Sequence, residues 1–218
     1  MNAASKNLMS IFILMPKLVC FGDSITAKEQ EETGTPRLTP RLRQAFPTWT
    51  IINSGMPGDT TKTALDRLQR DVLIHCPDLV AVLLGTGDAS EKRRVPILEY
   101  ENNLTSIARQ ISPQKTVLIN SPPIDDERLL ARNRRRGSPF YNLVTLEDLE
   151  HYAQVSEKVA KTTGSHFINL WSIMCKESDY SRLLKEKDGV HFNEKGYEFL
   201  TNLLTAKIKS IWNSVSAL

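Results

Sequence analysis

Cysteine is scarce in this sequence. Cys20, Cys76 and Cys175 are the three present and no Cys-x-x-Cys pair occurs, which argues against both a disulfide framework and a thiolate zinc site. A reducing compartment, the cytoplasm, is the expected setting. Charge of one sign does not prevail: 28 Lys and Arg against 25 Asp and Glu leave +3 on 218 residues. That balance is too small to imply nucleic acid, whose partners concentrate Lys and Arg on one face. Long hydrophobic runs are missing as well. The apolar stretch from Leu8 to Met15 covers eight positions, far short of the roughly 20 needed to cross a bilayer, so no stable membrane insertion is expected. It follows Lys6 as the core of a secretory leader would, but no small-x-small cleavage site comes after it. Residues 1–16 therefore read as an N-terminal extension and residues 17–218 as one domain. The 10 Gly and 11 Pro are scattered without marking a linker. GxGxxG and GxxxxGK patterns are absent, which disfavours a binder of nucleotide phosphates.

What is present is a regular alternation. Short, nearly continuous apolar runs stand at 17–22 (KLVCFG), 49–53 (WTIIN), 78–84 (DLVAVLL), 115–120 (KTVLIN) and 166–170 (HFINL); such runs suit strands of a parallel sheet covered on both faces. Between and after them lie apolar stripes at helical spacing, such as Ala64, Leu65, Leu68, Val72 and Tyr197, Leu200, Leu204, Ile208, Ile211. Strand alternating with helix implies a three-layer α/β/α sandwich on a five-stranded parallel sheet, with flavodoxin-like order 2-1-3-4-5. Open parallel sheets bind ligands beyond the carboxyl ends of their strands, so chemistry is expected in the loops just after them.

Those loops are distinctive. The first strand runs into Gly22-Asp23-Ser24-Ile25-Thr26, the second into Asn53-Ser54-Gly55-Met56-Pro57-Gly58-Asp59-Thr60, and the third into Gly85-Thr86-Gly87-Asp88. Each by itself is also an ordinary turn or helix cap. Near the carboxyl end, Asp188-Gly189-Val190-His191 sets an acid and an imidazole three positions apart, spaced so that the carboxylate can hold one ring nitrogen while the other faces outward. A serine hydroxyl is a weak nucleophile at neutral pH until a base takes its proton, and histidine suits that task. Asp148 and His151 repeat the spacing inside the apolar-striped fourth helix, where such neighbours are commonplace. His151 is accordingly read as solvated, His75 as a residue at a helix carboxyl end, where a cation can favour the dipole, and not with Cys76 as a metal site, and His166 as structural.

Taken together, FGDSIT, NSGMPGDTT and DGVHFNEKGY, in this order, are similar to the conserved blocks of the GDSL-type, or SGNH, hydrolases, over about residues 17 to 205. Small bacterial esterases and lysophospholipase-like acylhydrolases look most similar, and the Leu170-Trp171 segment resembles isoamyl-acetate-hydrolysing esterases. The resemblance implies a catalytic triad of Ser24, Asp188 and His191, an oxyanion hole from the backbone N–H groups of Ser24 and Gly58, and hydrolysis of a small-molecule ester, small or lipid-like, with no cofactor and no metal.

One position departs from the family pattern. The third block of the family reads Gly-x-Asn-Asp and its Asn donates to the oxyanion, whereas Gly87 stands here. Loss of one such donor costs on the order of 10²–10³ in turnover. The departure leaves open a slow hydrolase, a replacement donor, or a catalytically silent ligand-binding protein on the same scaffold. On the hydrolase reading, Gly87→Asn is expected to raise turnover. The segment from Asp125 to Asn142, with Arg132, Arg134, Arg135 and Arg136, follows the fourth strand and is a candidate lid whose arginines favour anionic substrates, although a charge run is more often a solvated face.

Overall fold

A computed structural model describes residues 15–137 and 143–216; most of the extension expected at 1–16 thus lies outside the described residues. The chain runs β1 (Lys17–Gly22), α1 (Leu38–Ala45), β2 (Thr50–Gly55), α2 (Thr61–Asp71), β3 (Leu79–Leu83), α3 (Thr86–Ala89), α4 (Ile97–Ile111), β4 (Thr116–Ile119), α5 (Asp126–Arg135), α6 (Leu146–Thr163), β5 (His166–Ile168), α7 (Leu170–Cys175) and α8 (Glu194–Ser216). The strands form one parallel sheet in the order β2-β1-β3-β4-β5, as the alternation predicts.

Side chains alternate across the pleat. Val19, Phe21, Val80, Val82 and Leu118 pack with Leu68 of α2, Leu104 and Ile107 of α4 and Leu149 of α6. Leu18, Cys20, Leu79, Ala81, Val117 and Ile119 point the other way, onto Leu38 and Leu42 of α1 and Leu200, Leu204 and Ile208 of α8. Both faces are therefore covered, which is why the strands read as continuous apolar runs. Each fully buried Leu or Ile contributes about 1.5–3 kcal/mol. Among the described residues no helix is long and apolar enough to cross a membrane.

Two elements differ from the expectations. The fifth strand ends at Ile168 because Asn169 caps α7, its Oδ1 accepting from the Ser172 N–H at 3.0 Å. The arginine-rich segment is largely helix: Asp125 caps α5 by accepting from the Arg128 N–H at 3.0 Å, and Leu129 is buried beneath it. Residues 138–142 of that segment lie outside the described residues.

Register places the site. Gly22 sits opposite both Gly55 and Leu83, so β1, β2 and β3 end level and their three following loops converge on one edge of the sheet.

Candidate active site

The loop after β1 is set by its own acid. Asp23 accepts the Ile25 N–H on Oδ1 at 2.9 Å and the Ala27 N–H on its carbonyl, also at 2.9 Å, forming a turn that leaves Ser24 part-exposed at the sheet edge. Far along the chain, Asp188 Oδ1 accepts the N–H groups of Val190 at 2.8 Å and His191 at 2.9 Å. This fixes the loop so that Asp188 Oδ2 lies 2.9 Å from His191 Nδ1. Ser24 Oγ is 2.8 Å from His191 Nε2, across 167 positions of sequence. The three residues singled out from the sequence thus meet in one hydrogen-bonded chain. With a carboxylate on Nδ1, the imidazole carries its proton there and presents the Nε2 lone pair to the serine. Burial by itself would raise the Asp188 carboxyl, but its hydrogen bond and attraction to His191, with the two backbone N–H groups, outweigh that and hold it well below the usual carboxylate range.

Gly58 stands beside this chain. Its φ of +81° is a left-handed conformation that a side chain would strain, and an added Cβ would come within 2.7 Å of Arg93 Nη1. Neither the Ser24 nor the Gly58 N–H makes a hydrogen bond among the described residues. Thr60, rather than Asp59, caps α2, in a reciprocal capping box with Thr63.

At Gly87 the structure adds a packing constraint to the missing amide. A Cβ built there would lie 2.1 Å from the Asp59 carbonyl oxygen and 3.1 Å from its carbon. The loops after β2 and β3 touch backbone to backbone, so the space in which an Asn side chain would begin is taken by a peptide group. Gly87 is a close-packing glycine as well as a missing amide, and restoring Asn by itself requires a backbone to move. Next to it, Thr86 Oγ1 is buried with no hydrogen-bond partner among the described residues, and Thr86 lines the same pocket as Ser24 and His191. That pocket has a volume of about 290 Å³ and is also walled by Gly58, Gly87, Arg93 and Arg132.

Two buried arginines hold the converging loops, and sequence reading missed both. Arg37 donates from Nη2 to the Ser24 carbonyl at 2.6 Å and from Nε to the Tyr197 hydroxyl at 2.6 Å. It also pairs with Glu31 at 3.3 Å, and Glu31 pairs with Lys185 at 2.5 Å. The Lys185 N–H in turn donates to the His191 carbonyl at 2.8 Å. Arg67 bridges Asp59 Oδ2 at 2.5 Å, the Ser54 carbonyl at 2.9 Å and the Gly22 carbonyl at 3.2 Å, tying the ends of β1 and β2 together. An apolar-stripe reading passes over such residues because their partners are backbone carbonyls of distant loops.

Buried acids lie behind the site. Burial pushes the Asp23 carboxyl up to about 6 and Asp88 up to about 7; Asp88 Oδ1 accepts from Thr61 Oγ1 at 2.6 Å and the Thr61 N–H at 2.8 Å, while its Oδ2 has no partner among the described residues. No group of three or more His, Cys, Asp or Glu gathers among the described residues to hold a metal. The alternative acid–imidazole pair is not one: His151 is exposed and Asp148 is held by Arg94 through contacts of 2.9 and 2.8 Å.

Comparison with known proteins agrees with this geometry. Residues 20–199 match the sequence profile of the GDSL-like Lipase/Acylhydrolase family. The human isoamyl acetate-hydrolyzing esterase 1 homolog is 28% identical, over 91% of this chain and 85% of that protein. An acetylxylan esterase of Geobacillus stearothermophilus is 24% identical over 90% of this chain and 95% of its own length. The crystal structure of a lipase/acylhydrolase from Enterococcus faecalis superposes with a TM-score of 0.78 at 31% identity, covering 90% of this chain and 96% of the other. Profile, esterase-named relatives and shared fold together class the chain as a carboxylic ester hydrolase: it belongs to the GDSL-like Lipase/Acylhydrolase family.

Proposed function

We propose that the protein is a serine esterase that cleaves a small carboxylic ester through an acyl-enzyme on Ser24. The observation that carries this reading is the 2.8 Å contact between Ser24 Oγ and His191 Nε2, backed by Asp188 on the far side of the ring. His191 takes the Ser24 proton as Oγ attacks the ester carbonyl. Negative charge develops on the carbonyl oxygen and is received by the N–H groups of Ser24 and Gly58, with the buried Thr86 hydroxyl, whose residue lines the same pocket, as a further donor. The carbon–oxygen bond to the alcohol then breaks and His191 returns the proton to the departing alkoxide. A water molecule, deprotonated by His191, attacks the acyl-enzyme; the acid leaves and Ser24 is regenerated. Asp188 stays ionised throughout and steadies the imidazolium at each stage.

An intact hydrogen-bonded triad beside two uncommitted N–H groups favours an esterase over a silent binding protein. Ser24 and His191 line two cavities, one of about 290 Å³ shared with Gly58 and Gly87 and one of about 660 Å³ shared with Asp188; the smaller, on the side of the oxyanion donors, suits a short acyl group better than a long chain. Relatives named for isoamyl acetate and acetylxylan point to the same substrate size. A panel of 4-nitrophenyl esters of increasing acyl length tests this. Turnover is expected to peak at short acyl chains and to fall by at least about 10³ in Ser24→Ala; undiminished hydrolysis by Ser24→Ala refutes the reading.

A further inference from the structure

We propose that Arg67 is a positioning residue for the oxyanion: it fastens the turn that carries Gly58 to the end of β1 and so holds the Gly58 N–H beside that of Ser24. The proposal rests on the reading of Ser24 as nucleophile and of these two N–H groups as the donors that receive the developing charge.

Met56, Pro57, Gly58 and Asp59 form a tight turn. The Asp59 N–H donates to the Met56 carbonyl at 3.1 Å, with proline in the second place and Gly58 in the third at a φ of +81°, the pattern of a type II turn. The Gly58 N–H belongs to the central peptide, which the turn's own hydrogen bond does not restrain. Were that peptide to rotate, the Pro57 carbonyl would replace a donor with an acceptor. Its direction therefore depends on how the ends of the turn are held, and both ends are fastened to one atom, the Gly22 carbonyl oxygen. The Met56 N–H donates to that oxygen at 2.9 Å; Arg67 Nη2 donates to it at 3.2 Å while Arg67 Nε reaches Asp59 Oδ2 at 2.8 Å. Gly22 lies two positions before Ser24 and Asp59 directly after Gly58. One guanidinium thus spans the chain next to each donor.

The grip is buried and rigid. Arg67 is 6% exposed and Asp59 4%. Arg67 Nη1 also donates to the Ser54 carbonyl at 2.9 Å and to Asp71 Oδ2 at 3.2 Å, and the guanidinium carbon stands 4.4 Å from the centre of the Phe21 ring. From the other side, Asp59 Oδ1 accepts from Thr63 Oγ1 at 2.5 Å. A planar fork of N–H donors serves both carboxylates and both carbonyls together, whereas an ammonium has fewer protons and no fixed plane.

Arg67→Lys tests this, because it keeps a cation against Asp59 and loses the fork. With a short-chain 4-nitrophenyl ester, kcat should fall about tenfold to a hundredfold while KM changes by less than about threefold, the loss falling on the transition state. Affinity for 1,1,1-trifluorobutan-2-one should fall by the same factor as kcat/KM. In that adduct Ser24 Oγ bonds to the carbonyl carbon, the carbonyl electron pair moves to oxygen and the Ser24 proton to His191, so the oxygen anion reads the donors without turnover. The acid limb of the pH profile of kcat/KM should stay in place, since Arg67 touches neither His191 nor Asp188. Arg70→Lys, exposed on the same helix, should behave as wild type. Unchanged kcat in Arg67→Lys, a loss carried by KM alone, or unchanged ketone affinity overturns the proposal. Should Arg67→Lys not fold, Asp59→Asn, which leaves the carbonyl contacts of Arg67 and loosens the turn, carries the same expectations. If the wild type turns over no ester and takes up no ketone, it is the esterase reading that has failed. The Gly58 amide then decides the positioning role separately: its NMR order parameter should drop from the rigid range near about 0.85 toward the flexible range below about 0.6 in Arg67→Lys, and an unchanged order parameter and resonance position contradict it.

Discussion

Arg37 Nη2 lies 2.6 Å from the Ser24 carbonyl oxygen, so a buried cation grips the backbone of the residue that carries the hydroxyl. The same side chain reaches Tyr197 of α8 and, by way of Glu31 and Lys185, the loop that ends in His191. The two halves of the serine–imidazole contact, 167 positions apart, are thereby fastened to one another behind the reacting atoms.

Arg37 is therefore a positioning residue. Arg37→Met should cost about 1–3 kcal/mol of stability, because the Ser24 carbonyl loses its buried donor and the Tyr197 hydroxyl its cationic partner, while Glu31 keeps Lys185. In the folded fraction it should lower kcat about tenfold to a hundredfold with a smaller change in KM, since displacement of an attacking group acts on the chemical step. Arg37→Lys, which keeps the charge and loses the planar fork, should recover a part of both. Urea unfolding and steady-state kinetics measure these effects; unchanged kcat in Arg37→Met contradicts the role.

Gly87→Asn is expected to lower stability and turnover rather than raise turnover. The Cβ would press on the Asp59 carbonyl at 2.1 Å, and forcing extra atoms into a closed contact typically costs about 1–3 kcal/mol. Gly87→Ala should show the same loss of stability with no amide at issue. Thermal unfolding of the two variants beside their kcat values separates crowding from chemistry. An Asn variant as stable as the wild type and faster would show that the two loops are free to part.

Asp88 makes the fold pH-sensitive. Buried, it keeps its proton up to about pH 7, whereas the unfolded chain releases that proton near the ordinary value of 3.8. Between those values the folded state binds more protons, so stability falls as pH rises. The contribution is fully present below about pH 4 and is gone above about pH 7. Asp88→Asn keeps an acceptor for Thr61 and cannot ionise. Relative to this variant the wild type should lose about 2–3 kcal/mol between pH 5 and pH 8. Parallel stability curves from urea titration at the two pH values would contradict the assignment.

The layered sheet was legible because each strand, covered on both faces, announces itself as an apolar run, and the triad because its members follow strands or share one tight turn. Ser24, Gly58, Asp188 and His191 were found by that logic together with a family resemblance. Gly87 was read for the amide it lacks, and its close approach to Asp59 could not be seen, since it arises where two loops 28 positions apart are pressed together by the level ends of β2 and β3. Arg37 and Arg67 escaped for a similar reason: their partners are carbonyl oxygens of other loops, and carbonyls leave no mark in a sequence. The helix α5 did leave one, Asp125 ahead of Leu129, which the density of arginines obscured.

The central claim is that Ser24 forms the covalent bond. It is tested most directly by brief exposure of the protein to diethyl 4-nitrophenyl phosphate, followed by peptide mass spectrometry and assay of residual esterase activity. The account predicts a diethylphosphoryl group on Ser24, loss of activity in step with labelling, and no label at that site in Ser24→Ala. Full ester hydrolysis by protein that carries no label, or labelling confined to a residue other than Ser24, would contradict it.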